Sequence, residues 1–402
     1  MFSRYARVLR APHVRALVVS SVLARMPIGM VSLALVLYVD QLTGSFASAG
    51  VVTASFAIAA GVGSPLQGRL VDRHGQSRVL VPCVLVHAGA ILGVVALGET
   101  GAPVGALAAV AAVSGAGTPP VGAALRALWP DLLDDDALMG AAYALDSILV
   151  EAFYGLGPLV TAGVVAVLSP VAALAAGAVI ALAGTLWFAA QPPSRGWRGE
   201  PGSAGWAGPL HAPGIVTLLV AAMGAGACFG VFEVVLPAFG KQDGSASLGG
   251  PLITAWSLGS MAGGVLYGAF GERMGALLRV FLVLAAILPV VSALTLAASS
   301  IVAMALLITL AGVVIAPLQA TQNQLVGLVA PTGTITEAYT WVLMGLVVGL
   351  SAGNAAAGAL VDAAGWRAAV LAGCACAALT AALAWVRRRT LGPPAAVSAR
   401  PG

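Results

Sequence analysis

Gly68-Arg-Leu-Val-Asp72-Arg73-His-Gly75-Gln-Ser-Arg78-Val-Leu80 is the stretch on which the fold turns. It is polar and basic, and it separates two long apolar runs, 51–66 and 79–97. Charges are expensive in hydrocarbon, so a segment like this belongs where a chain leaves a bilayer and turns back. Gly68 and Gly75 allow close helix approach and a tight turn. Asp72 suits a helix N-terminus, and Arg73 and Arg78 are cations of the kind cytoplasmic loops accumulate.

The composition agrees. The chain has 402 residues, 60% hydrophobic and only 8% charged, with a mean hydropathy of +0.99. Soluble domains carry roughly 25% charged residues, so a soluble fold is excluded. About twenty apolar residues span a bilayer as a helix. In order, the runs are 14–39, 46–66, 79–97, 104–126, 139–167, 170–190, 213–239, 251–270, 275–297, 301–326, 337–361 and 366–386. None alternates polar with apolar as a β-barrel strand does, so the sequence predicts an all-α integral membrane protein with twelve transmembrane helices. With both termini inside, all but Arg25, Lys241 and Arg367 of the 19 lysines and arginines fall at or near the cytoplasmic side. The positive-inside rule then sets the orientation, and topology rather than nucleic-acid binding accounts for the net charge of +4.

The chain repeats itself. Gly268-Ala-Phe-Gly-Glu272-Arg273-Met-Gly275 has the Gly-x-x-x-acid-Arg-x-Gly spacing of the first stretch, 200 residues downstream of Gly68. Gly44-Ser45 pairs with Gly244-Ser245, Pro120 and Arg126 with Pro317 and Asn323, and Ala142-Tyr143 with Ala338-Tyr339. An ordered set of such matches implies duplication. The Gly- and Pro-rich 191–212 reads as a cytoplasmic linker between six-helix bundles at 1–190 and 213–390, followed by a cytoplasmic tail at 391–402.

The pattern Gly68-x-Leu-x-Asp72-Arg73-x-Gly75-x-x-Arg78-x-Leu80 resembles the loop between helices two and three of the major facilitator superfamily (MFS), with Gln76 and Ser77 where that family usually carries Arg or Lys. The resemblance covers roughly residues 10–390. It implies two pseudo-symmetric six-helix bundles, with helices 1, 4, 7 and 10 lining a central cavity and helices 2, 5, 8 and 11 between the halves. It implies a cytoplasmic gate in which Asp72 meets the start of helix eleven near Glu337, with Arg73, Arg78 and Arg126 in a charge network. Gly157-Pro158 resembles the core of the family's antiporter signature and would bend helix five, although Leu159 and the residues after it depart from that signature.

Ionisable groups inside spans mark function or pairing. Arg25 lies about eleven residues into the first run and Glu151 about twelve into the fifth, so the two match in depth at 1.5 Å per residue. That match predicts an Arg25–Glu151 pair, which either locks two helices or lets Glu151 take a proton while Arg25 tunes it or binds an anionic substrate group. Asp146, about 140° round the same helix, reads as a proton-pathway or interface residue. Glu233, in the outer part of helix seven, is a candidate for proton or substrate binding. Gln319 and Asn323 of helix ten, with Gln322 and Gln324, offer amide hydrogen bonds to a polar ligand or to a helix end.

Other chemistry finds little support. The histidines have no metal spacing, the four cysteines lie in apolar runs, and Val235 stands where a phosphate loop before Lys241 would need its first Gly. No cofactor or metal is expected. The expectation is an exporter of small organic molecules driven by proton antiport in the cell inner (plasma) membrane. Its partners are a small-molecule substrate, protons and the lipid bilayer, with no nucleic acid, and a closed pair of bundles can work as a monomer. A proton-coupled importer or facilitator of a polar metabolite, and a non-transporting membrane scaffold or sensor, are the alternatives.

Overall fold

The computed structural model describes residues 3–133, 135–199, 208–242 and 249–392. Among them there are helices and turns but no strand. Twelve long helical segments follow one another: α1 (Val14–Thr43), α2 (Phe46–His74), α3 (Gln76–Glu99), α4 (Val104–Leu132), α5 (Asp136–Val167), α6 (Pro170–Ala190), α7 (Pro213–Gln242), α8 (Gly249–Phe270), α9 (Leu277–Ala297), α10 (Ile301–Val329), α11 (Ile335–Ala364) and α12 (Trp366–Val386). Ten contain a window long and apolar enough to cross a bilayer. The other two, α5 and α8, have 32 and 22 residues, and even the shorter is about 33 Å long at 1.5 Å per residue. Outward faces elsewhere in the bundle are apolar: Ile58, Val62 and Leu66 on α2, and Val302, Leu306 and Leu310 on α10, are exposed at helical spacing. Such stripes fit lipid, not water.

The same packing scheme occurs twice. In the first half α1 packs on α5 and α6, α2 on α4, and α3 on α6; in the second α7 packs on α11 and α12, α8 on α10, and α9 on α12. The halves meet through α2 against α11 and α5 against α8, which are equivalent pairs under the repeat. Lipid gives no hydrophobic drive for helices to associate, so close backbone packing at small residues matters more. A Cβ on Gly157 would lie 2.7 Å from the Cα of Gly29 across α1 and α5. On α11, Gly349 and Gly353 press in the same way against the backbone of α7 at Met223 and Ala227.

Three segments are interrupted where the sequence forces it. Segment α1 breaks at Met26, ahead of Pro27. Segment α4 unwinds over 117–120, at Gly117 and Pro119-Pro120, and α10 at Val313 and Val314. Proline removes a helix donor and crowds the preceding turn, and the last two breaks are repeat equivalents. Helix α5, by contrast, is continuous through Gly157 and Pro158; the Pro158 side chain lies outside the described residues.

The stretch 68–80 is not an extended loop. Helix α2 runs on to His74 and α3 begins at Gln76. The whole turn is Gly75, at φ 90° and ψ 157°, a backbone region that a Cβ makes costly. Its repeat partner Gly275 sits at φ 105° and ψ −162°. Short linker helix Pro192–Gly196 and the residues after it tuck beneath this turn, placing Trp197 and Arg198 against Gly75; residues 200–207 of the linker and the tail from 393 onward lie outside the described residues. We call this end of the bundle the basic face. A separate helix, Ser3–Arg10, lies across it on α5 and α8. There the Tyr5 hydroxyl donates to the Gly264 carbonyl at 2.8 Å, and burial pushes its pKa up to about 12.

Candidate substrate and coupling site

At the centre of the first half, one carboxylate holds two guanidinium groups from two other helices. Asp146 of α5 accepts from Arg25 Nη1 of α1 at 2.5 Å through Oδ1, and from Arg126 Nε of α4 at 2.7 Å through Oδ2. All three residues are buried, at 1%, 5% and 7% exposure respectively. The helix breaks help to position them: Arg25 sits just before the Met26 break, and Arg126 rides on the separate helical piece Val121–Leu132. Gly122 leaves room, since a Cβ there would lie 3.2 Å from Cζ of Arg25. The aromatic rings of Phe153 and Tyr339 lie near the two guanidiniums, 5.1 and 6.0 Å from ring centroid to Cζ. Two cations on one anion leave the cluster with an excess positive charge.

This arrangement adds partners that the sequence did not foresee. Arg25 pairs with Asp146, a partner that depth along a helix did not name, because depth does not fix which side of a helix faces a neighbour. The Glu151 side chain lies outside the described residues. Arg126, expected in the gate network at the helix end, pairs with Asp146 from the helical piece that follows the break over 117–120.

One turn before Asp146, Tyr143 meets its repeat equivalent across the two halves. The hydroxyls of Tyr143 and Tyr339 are 2.6 Å apart and both residues are almost wholly buried. The sequence marked both as repeat landmarks but not as neighbours. Their identical offset within a duplicated unit is the signal that could have revealed it, since residues related by a two-fold axis meet where the axis passes.

At the basic face, Asp72 caps α11. Its Oδ1 accepts from the Thr336 amide at 3.0 Å and its Oδ2 from the Glu337 amide at 2.8 Å, satisfying donors that a helix start leaves open. A Cβ on Gly68 would lie 2.9 Å from the Cα of Glu337, so glycine is what lets α2 approach α11 here. The Glu337 carboxylate accepts from Trp341 Nε1 at 3.2 Å, and Arg69 and Arg73 are the cations whose field reaches it. Arg73 and Arg78 are exposed. Gln76 and Ser77 turn inward, donating to the carbonyls of Ala124 and Ala189 at 2.9 and 2.6 Å.

The remaining candidates disperse. Glu233 is exposed and accepts from Asn354 of α11 at 2.9 Å. The α10 amides split between faces: Gln322 donates to the Leu218 carbonyl of α7 at 2.8 Å and Gln324 to the Tyr267 hydroxyl of α8 at 3.0 Å. Gln319 and Asn323 are half-buried, one turn apart on another face. Among the described residues, no cluster of three or more His, Cys, Asp or Glu is placed to hold a metal ion.

Comparisons with known proteins bear on this architecture. No curated protein matches the sequence. Solved structures do match in fold. A bacterial homologue of the iron transporter ferroportin, in an outward-facing state, superposes with a TM-score of 0.75 at 12% identity, covering 93% of this chain and 99% of the other. The Escherichia coli fucose:proton symporter gives a TM-score of 0.69 at 14% identity, over 91% and 97%. A human organic anion transporter gives 0.63 at 15% identity, over 93% and 100%. The family model of the Major Facilitator Superfamily matches residues 17–339 and 218–402. Repeated six-helix packing, the Gly75 corner and the family match agree, and the chain is a member of the Major Facilitator Superfamily.

Proposed function

We propose that this transporter exports small organic molecules in exchange for protons, by alternating access, in the cell inner membrane with both termini cytoplasmic. The observation that carries the reading is the buried Arg25–Asp146–Arg126 cluster. Burying an ion pair costs several kcal/mol per ion in desolvation, repaid only by close and complete pairing. A cluster with one surplus cation, held within the first half with Arg126 beside Tyr339 of the second, is therefore tuned for a change in charge more than for stability. Asp146 acts as the fixed counter-charge, because each of its oxygens already holds an arginine. Glu151, in the same helix, is the carboxylate assigned to the transported proton. Glu233, Gln319 and Asn323 supply polar contacts along the substrate path.

The basic face supplies the alternation. Asp72 on the α11 N-terminus, Gly68 beneath it and Tyr143 against Tyr339 tie the halves together on the cytoplasmic side, with Arg73 and Arg78 at the exposed edge. Releasing these contacts opens that side. The test is substrate-dependent proton flux in proteoliposomes screened across a panel of organic compounds. A compound-specific flux that Glu151→Gln abolishes supports the reading. A flux that survives Glu151→Gln removes that residue's role, and transport indifferent to a pH gradient removes proton coupling.

A further inference from the structure

Beside the central axis, on the basic face, the ends of α4, α5, α8, α9 and α10 and the helix Ser3–Arg10 enclose a cavity of about 560 Å³. That is the size of a pocket for a drug-sized molecule. Two lining glycines leave space in its wall: a Cβ at Gly140 of α5 would meet only Gln324, at 3.7 Å, and one at Gly275 nothing within 4 Å. The uncharged polar side chains among its described lining residues are Tyr143, Tyr267 and Gln324. Among the described residues the charged lining side chains are one cation and one anion, Arg4 and Asp135, and neither is free. Those two charges balance, so a charged guest would lose hydration here with no net counter-charge among the described side chains to offset it. A molecule with an apolar body and one or two hydrogen-bonding groups would lose little.

The cavity also points somewhere. Tyr143 forms part of its wall, the Tyr143 hydroxyl is closed against Tyr339, and Asp146 lies one helical turn beyond. We propose that this cavity is a cytoplasmic loading site for uncharged, amphipathic organic molecules, with the Tyr143–Tyr339 contact as the closed door between it and the charge cluster. The inference rests on the export reading and deepens it by naming the class of substrate and where it first binds.

The full-length protein in phosphatidylcholine nanodiscs, without any gradient, provides the test. The probes are N-phenyl-1-naphthylamine, which is neutral, and 8-anilino-1-naphthalenesulfonate, an anion of similar shape. Fluorescence titration is expected to show saturable binding of the neutral dye and at least about tenfold weaker binding of the sulfonate. Gly140→Leu fills the cavity from an ordinary helical position, where a Cβ meets only Gln324 at 3.7 Å; it should weaken the neutral dye about tenfold or more. If Gly140→Leu fails to fold, Gln324→Leu removes the amide without adding bulk and should produce a loss of several-fold. Binding unchanged by the variant that folds, or equal affinity for the two dyes, overturns the proposal. Because no gradient is applied, absent proton flux with intact dye binding would count against antiport alone, whereas the reverse result would count against this site alone.

Discussion

Replacing Asp146 with asparagine should damage the protein more than losing either of its arginines. The side chain keeps its shape, but both ion pairs, at 2.5 and 2.7 Å, lose their charge. Two guanidiniums are then left buried without an anion. Removing one partner of a buried pair costs about 3–5 kcal/mol, which is roughly a hundred- to several-thousand-fold in the folding equilibrium. Arg126→Gln is different in kind. It leaves Arg25 and Asp146 as a balanced pair and removes one charged hydrogen bond, a loss of about 1.5–3 kcal/mol. Arg25→Gln should resemble it. Equilibrium unfolding in mixed micelles, followed by helical circular dichroism, gives the ordering directly. If Asp146→Asn lies within about 1 kcal/mol of wild type, or is the milder of the changes, the cluster does not hold α1, α4 and α5 together as described.

Three further outcomes follow from the geometry. Tyr143→Phe or Tyr339→Phe alone leaves a buried hydroxyl without its partner, costing about 1–3 kcal/mol, whereas the double change should cost less than the sum, as a double-mutant cycle will read. Asp72→Ala removes the cap on α11 and about 0.5–2 kcal/mol of cross-bundle attachment; hydrogen exchange over 335–340 should quicken by up to about thirtyfold, and unchanged exchange would mean that the cap does not hold the basic face closed. Gly29→Val places side-chain atoms into the Phe153 carbonyl across α1 and α5, while Gly163→Ala meets nothing within 4 Å; the first should sharply lower folded yield and thermal stability, and the second should leave both near wild type.

The sequence made some of this plain and hid the rest for physical reasons. Apolar length is a one-dimensional property, so run 170–190 coincides with Pro170–Ala190 and run 366–386 with Trp366–Val386. The turn at 68–80 was placed correctly but drawn too long, because polar residues at a membrane surface remain compatible with helix and only Gly75 has to break it. The Asp72 contact with α11 came from family resemblance, and nothing in the local residues names a partner 264 residues away. The Arg25–Asp146 pair was not foreseen, because rotation about a helix axis and the kinks at Met26 and at 117–120 are three-dimensional facts. The Tyr143–Tyr339 contact was half visible: the duplication marked both residues, but only the fold shows that the halves touch there. The loading cavity was not legible at all, since glycines and neutral groups from five helices carry no pattern until they are brought together.

The central claim is that two equivalent bundles rock about a buried polar centre. Spin labels at Arg78 and Thr332, exposed on the basic face, and at Thr43 and Ser300, exposed at the opposite face, report on it through paired electron–electron distances. Lowering the pH or adding a transported compound is predicted to move the two distance distributions in opposite directions, one widening as the other narrows. Distances that stay fixed at both faces, or that widen together, would contradict it.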